Sequence, residues 1–168
     1  MVRLRLIGAL IALLVLLFDQ GSKQWLLRVY DIAERQPVKL ASVLDIVLAW
    51  NRGISYSLFT TDSVNGPTIL LAVTLSASAF LVVWLWRSDT VATVTALGML
   101  IGGALGNAYD RFAYGAVVDF VHFHVGGFSW YIFNGADVAI CLGVALLLLT
   151  SMNTQSSATA SKLPKNDI

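Results

Sequence analysis

Long apolar runs alternate with short polar stretches along this chain. Thr68 to Trp86 and Val91 to Tyr109 carry no charge, and Phe133 to Ser151 is interrupted only by Asp137. A run of roughly 20 apolar residues is what a helix needs to cross the hydrocarbon of a bilayer. A fourth run, Leu6 to Phe18, is shorter, and Asp19 and Lys23 interrupt it before Trp25, Leu26 and Leu27. Four transmembrane helices are predicted, at about 6–27, 68–86, 91–109 and 133–151. Two longer segments, 29–67 and 110–132, then share one membrane face, and Arg87 to Thr90 makes a tight turn at the other.

The period changes between the spans. Asp45 to Trp50 and Val117 to Val125 read as strands. From Asp119 on, Asp119, Val121, Phe123 and Val125 share one face, while Phe120, His122 and His124 share the other. Gly126-Gly127 makes a turn, after which Phe128 to Tyr131 is placed to pair back as a hairpin. The expected fold class is a mainly α membrane protein: four transmembrane helices with a small extracytoplasmic β-sheet cradle. One domain is expected over 1–152, followed by a flexible cytoplasmic tail over 153–168 that is rich in Ser, Thr and Ala.

Composition agrees with a lipid-facing surface. The chain is 57% hydrophobic and 12% charged, with mean hydropathy +0.75, where a soluble domain is about a quarter charged. A net charge of +1, with no basic cluster interleaved with aromatics, gives no reason to expect a nucleic-acid partner. The single cysteine, Cys141, excludes an internal disulfide. Arg3 and Arg5 precede a short apolar stretch as in a signal peptide, but no small-x-small cleavage site follows and three more spans do. Basic residues divide evenly between the faces: Arg3, Arg5, Arg87, Lys162 and Lys165 against Arg28, Arg35, Lys39, Arg52 and Arg111. Arg3 and Arg5 beside the first span tip the orientation toward cytoplasmic termini.

Ionisable groups at membrane depth cost several kcal/mol or so and usually face a protein interior or a cavity. Asp19 and Lys23, four residues apart, share a helix face and can pair, either as a structural lock or as a contact for substrate. Gly98, Gly102 and Gly106 repeat every four residues and clear a stripe for a neighbouring helix. Gly103, Asn107 and Arg111 form a second stripe at the same spacing, with the two polar groups suited to a carboxylate, a lipid headgroup or backbone carbonyls. Asp119 lies in an apolar strand. Asp137 lies at the head of the last helix, with Asn134 on the same face. Two carboxylates that meet cannot both ionise cheaply, so one keeps its proton and the pair offers a base and an acid. Water activated by one and a peptide carbonyl polarised by the other would give peptide hydrolysis. The plainer alternative is that each aspartate caps a backbone or pairs with Arg111.

At these residues the chain resembles the bacterial lipoprotein signal peptidases, or signal peptidase II. The resemblance covers about Leu6 to Leu149 and rests on five blocks in order: Asp19-Gln20-Gly21-Ser22-Lys23; Asn51-Arg52-Gly53; Gly102-Gly103-Ala104-Leu105-Gly106-Asn107-Ala108-Tyr109-Asp110-Arg111; Val117-Val118-Asp119-Phe120; and Phe133-Asn134-Gly135-Ala136-Asp137. It implies an aspartic endopeptidase of the inner membrane, multi-pass, with cytoplasmic termini and a site near the outer face. It implies Asp119 and Asp137 as the catalytic pair, with Asp19, Lys23, Asn51, Gly53, Gly103, Asn107, Arg111 and Asn134 shaping the site or binding substrate. No cofactor and no metal are expected. The implied partners are diacylglyceryl-modified prolipoproteins, cut just before the lipidated cysteine, together with membrane lipids and globomycin-like inhibitors; a monomer is expected. Arg52, Ile54, Ser55 and Gly135 depart from the commonest family pattern and bear on local loop shape and inhibitor fit. Trp50, Phe120, Phe123, Phe128, Trp130 and Tyr131 supply aromatics suited to the membrane interface.

Other chemistries are weaker. His122 and His124 share a strand face and could bind zinc, but no HExxH helix or third strong ligand accompanies them, and Asp119 points the other way. Ser55 or Ser57 could serve a serine mechanism, without any nucleophile-elbow sequence. A small transporter or channel using buried Asp and Arg residues is the alternative of a different class. The long surface segments and the interfacial aspartates argue against it, and against a purely structural subunit.

Overall fold

The structure, a computed structural model, describes residues 2–53 and 66–160, with side chains as far as residue 152. Ser55 and Ser57, and the tail beyond 160, lie outside the described residues. The elements in order are α1 (Val2–Arg28), α2 (Ile32–Arg35), β1 (Val38–Ala41), β2 (Leu44–Asn51), α3 (Gly66–Arg87), α4 (Val91–Tyr114), β3 (Val117–Val125), β4 (Phe128–Ser129) and α5 (Gly135–Ala160).

Helix α4 is the hub, with α1, α3 and α5 all packed on it. Among the described residues three helices are long and apolar enough to cross a membrane: α3, α4 and the Gly135–Met152 part of α5. Burial covers 61% of the apolar window of α4 but only 11% and 17% of those of α3 and α5, so the outer helices turn most of their apolar surface outward. The predicted first span is α1, 27 residues long. It buries Asp19 and Lys23 and exposes Leu10, Leu13, Leu14, Leu17 and Phe18. Such a run of exposed large apolar side chains suits a lipid solvent.

The helix ends follow local rules. Thr90 caps α4, its hydroxyl accepting from Thr93 N–H at 3.2 Å. Gly115, at φ 69°, closes α4 with its N–H on the Arg111 carbonyl, and the chain turns directly into β3. At the far end of the bundle Arg5 Nε donates to the Trp86 carbonyl at 3.2 Å and its guanidinium lies over the Trp86 ring, so the start of α1 and the end of α3 share one face.

The two surface segments form one antiparallel sheet of order β1-β2-β3-β4. β3 has the bounds that its alternation predicts, and the turn at Gly126-Gly127 leads to a short return strand, with Val125 opposite Phe128. α2 and β1 have no counterpart in the sequence reading. A small core of Leu26, Ile32 and Phe120, with Val38, Ile46 and Leu48 around it, seats the sheet on the end of α1.

Candidate active site

The two glycine-bearing stripes of α4 face different helices. A Cβ built on Gly98 would lie 2.5 Å from the Gly8 carbonyl oxygen, and one on Gly102 would lie 2.5 Å from that of Ala12, so these glycines bring α1 to backbone contact. A Cβ on Gly103 would lie 2.6 Å from the Ala136 carbonyl oxygen, so the second stripe brings α5 equally close. The polar residues one turn further along each stripe therefore meet different partners.

On the α1 side the stripe ends in Asp110. Lys23 Nζ lies 2.8 Å from Asp19 Oδ2 and 2.7 Å from Asp110 Oδ2, and it donates to Asn107 Oδ1 at 3.2 Å. Asp19, Lys23 and Asp110 are all fully buried. One ammonium between two carboxylates leaves acceptor capacity over, and backbone and amide donors fill it. Val118 N–H donates to Asp110 Oδ2 at 3.1 Å, Ala136 N–H to Asp19 Oδ1 at 3.0 Å, and Gln20 Nε2 to Asp110 Oδ1 at 2.8 Å. This cluster ties the starts of β3 and α5 to the helix pair. Lys23 is fully buried, donates to Asn107 and lies within electrostatic reach of Asp119.

On the α5 side Asn107 Nδ2 donates to Asp137 Oδ1 at 2.9 Å, and Asn107 Oδ1 accepts from Asn134 Nδ2 at 3.2 Å. Asn134 and Asp137 form a reciprocal helix-start box. Asn134 Oδ1 accepts from Asp137 N–H at 3.1 Å, and Asp137 Oδ2 accepts from Asn134 N–H at 3.2 Å. Capping thus explains why Asn and Asp stand three apart. It does not explain the second bond of Asn134, whose Nδ2 also donates to Asp119 Oδ1 at 2.5 Å. Asn51 Nδ2 donates to Asp119 Oδ2 at 3.0 Å, and Asn51 Oδ1 accepts from Gly53 N–H at 3.1 Å, which fixes the amide from the end of β2.

The two aspartates, one from a strand and one from a helix start, thus share Asn134, whose side-chain amide donates to the Asp119 carboxylate and whose backbone N–H donates to the Asp137 carboxylate. Asp119 is 2% exposed and Asp137 is half-buried. Burial, then the neighbouring Asp137 charge, pushes the Asp119 carboxyl up to about 6, against the pull of the Asn51 and Asn134 hydrogen bonds. Arg111 lies within electrostatic reach of Asp137, Asp119 and Asp110. Its Nη1 donates to the Asn107 carbonyl at 3.4 Å, and its buried Nε has no hydrogen-bond partner among the described residues. A buried carboxyl that holds its proton toward neutrality, beside a second and more accessible carboxyl group, can supply a general acid next to a general base.

Nine of the ten residues named from the sequence are joined to this network by hydrogen bonds, ion pairs or electrostatics, and Gly103 by close packing. Asp110 and Gln20 were not among them. Asp110 could have been found: it continues the Gly98, Gly102, Gly106 spacing by one more step and must face α1, where Lys23 waits. Gln20 carries no such signal.

Comparison with known proteins gives a consistent picture. The family model described as "Signal peptidase (SPase) II" matches residues 11–153. The lipoprotein signal peptidase of Methylocella silvestris is 54% identical over 159 residues, covering 94% of this chain and 93% of that protein. That of Beijerinckia indica subsp. indica is 52% identical over 153 residues, covering 91% and 92%. Among solved structures, a bacterial membrane enzyme determined by the in meso method at 2.3 Å superposes with TM-score 0.77 at 26% identity, covering 96% of this chain and 94% of that one.

Proposed function

The chain belongs to the signal peptidase II family, and we propose that Asp119 and Asp137 are the paired carboxylates with which it cuts its substrate. Its activity is that of a lipoprotein signal peptidase, a peptidase acting on prolipoproteins in a bacterial membrane. The observation that carries the residue assignment is Asn134, whose side-chain amide donates to the Asp119 carboxylate while its backbone N–H donates to the Asp137 carboxylate.

Asp137 is the more accessible of the two and takes a proton from water. The water oxygen attacks the carbonyl carbon of the scissile bond while Asp119 gives its proton to the carbonyl oxygen. Asp137 then delivers its proton to the amine nitrogen as the C–N bond breaks, and Asp119 recovers one from the intermediate hydroxyl. The products are a carboxyl terminus and a free amine, with both aspartates restored. Asn107, Asn134 and Asn51 hold the oxygens in register. Lys23 with Asp19 and Asp110 holds Asn107, and Arg111 offsets the carboxylate charge.

Helix α1 is the fourth span in this reading. At 1.5 Å per residue its 27 residues reach about 40 Å, beyond the roughly 30 Å of hydrocarbon, and its charges are neutralised inward. The termini and the α3–α4 turn are cytoplasmic, and the sheet and the aspartates lie at the outer face. There Trp50, Phe128, Trp130 and Tyr131, each 40% exposed or more, meet the headgroups. The prolipoprotein presents its bond there, before a cysteine whose diacylglyceryl chains stay in the bilayer. Cyclic depsipeptides of the globomycin type block the same opening, and one chain suffices for activity.

Purified wild type, Asp119→Asn and Asp137→Asn are to be incubated with a diacylglyceryl-modified precursor. Each variant should be inserted and folded yet at least about 10³-fold slower. Wild-type rates in either variant would remove that carboxylate from the chemistry. For orientation, Cys141→Ser provides a cysteine-free background. A cysteine placed at Gly126 should then react with an impermeant maleimide from outside intact inner membranes, and labelling only after lysis would invert the topology.

A further inference from the structure

His122 and His124 lack a third ligand in the linear sequence, but the sheet register supplies one. Asp45 on β2 stands directly opposite His122 on β3. The three side chains each offer a ligand atom, and those atoms lie within 4.8 Å of one another. His124 Nε2 is already 3.0 Å from Asp45 Oδ2. His122 and His124 have ring centroids 5.3 Å apart, and His122 Nε2 contacts Ser129 Oγ at 2.7 Å. The second carboxylate oxygen, Asp45 Oδ1, is buried and has no hydrogen-bond partner among the described residues. A buried carboxylate oxygen with nothing to accept from is costly, and a cation would satisfy it.

We propose that Asp45, His122 and His124 form a binding site for a divalent metal of the zinc class on the sheet face turned away from Asp119. Zinc takes imidazole nitrogen and carboxylate oxygen at about 2.0–2.2 Å, which sets tetrahedral ligand atoms roughly 3.3 Å apart. All three residues are half-buried, which leaves their side chains room to close on an ion. Two imidazoles favour zinc, copper or nickel over magnesium or calcium. Three protein ligands leave the fourth position to water. The site is not catalytic. His122 is three residues along the strand from Asp119, about 10 Å, and points to the opposite face. A bound ion instead bolts β2 to β3, the two strands that carry Asn51 and Asp119, so it stiffens the cradle without entering the reaction. This inference does not depend on the peptidase assignment.

The test uses full-length protein in detergent, stripped with a chelator, with Cys141→Ser as background because that thiol is exposed and could bind zinc itself. Zinc chloride titrated against a chromophoric indicator should give one ion per chain. His124→Gln and Asp45→Asn should each weaken it tenfold or more. Zinc should also raise the thermal midpoint of the background protein by several degrees and leave that of His124→Gln unmoved. Cleavage by the stripped enzyme should match that by the zinc-loaded enzyme within about twofold. Stoichiometric binding that both variants retain, or none in the background protein, would overturn the site. Loss of cleavage on stripping would overturn its separation from catalysis.

Discussion

Asp119 couples chemistry to stability. Its carboxyl is held near 6, above the ordinary 3.8, so the folded protein binds this proton more tightly than the unfolded chain. The associated stability is fully present below about 3.8 and is lost as pH rises through about 6, by on the order of 3 kcal/mol. The thermal midpoint of the wild type should therefore fall between pH 4 and pH 7, and the Asp119 contribution to that fall should vanish in Asp119→Asn. In the proposed mechanism the same proton sets the upper limb of the activity profile, so kcat/KM should decline above about pH 6. Asn51→Ala removes a donor that favours the charged form, and should move that limb to higher pH. A limb unmoved in this variant would mean that another group governs it. Lys23→Met leaves Asp19 and Asp110 buried without their cation and should destabilise the protein by about 3–5 kcal/mol in unfolding measurements. The aspartates were legible in the sequence because polar residues at membrane depth demand a reason. Asp45 as a partner of His122 was not, since strand register joins residues 77 positions apart and leaves no periodic trace.

Elements show the same division. The strand over β3 could be read from strict alternation, and the turn after it from two glycines. β1 and α2 could not, because a four-residue edge strand and a four-residue helix owe their existence to Ile32 and Val38 packing under the sheet. The stripes on α4 were readable as spacing, but spacing alone does not say which helix lies in which groove. The close approaches distinguish them and predict different phenotypes. Gly102→Ala puts a methyl group against the Ala12 carbonyl and should cost about 1–3 kcal/mol of stability by parting α1 from α4. Gly103→Ala meets the Ala136 carbonyl, one residue before Asp137. Displacing Asp137, the proposed base, by a fraction of an ångström should lower kcat by about tenfold or more, with a smaller change in KM. Equal losses of stability and equal activities in the two variants would show that the stripes are interchangeable.

At the scale of the molecule the working parts lie at one end of the bundle. The sequence of α5 turns polar after Met152, with Asn153, Thr154, Gln155 and Ser156 following. A chain ending there should insert and process precursor at the wild-type rate; a drop of more than about threefold would give the following residues a role. The central helix is gripped on two sides at backbone distance, by α1 at Gly98 and Gly102 and by α5 at Gly103. A shaft keyed in two slots neither spins nor slides. Asn107 and the Asp137 carboxylate it holds are thereby indexed in azimuth, whatever the surrounding lipid does.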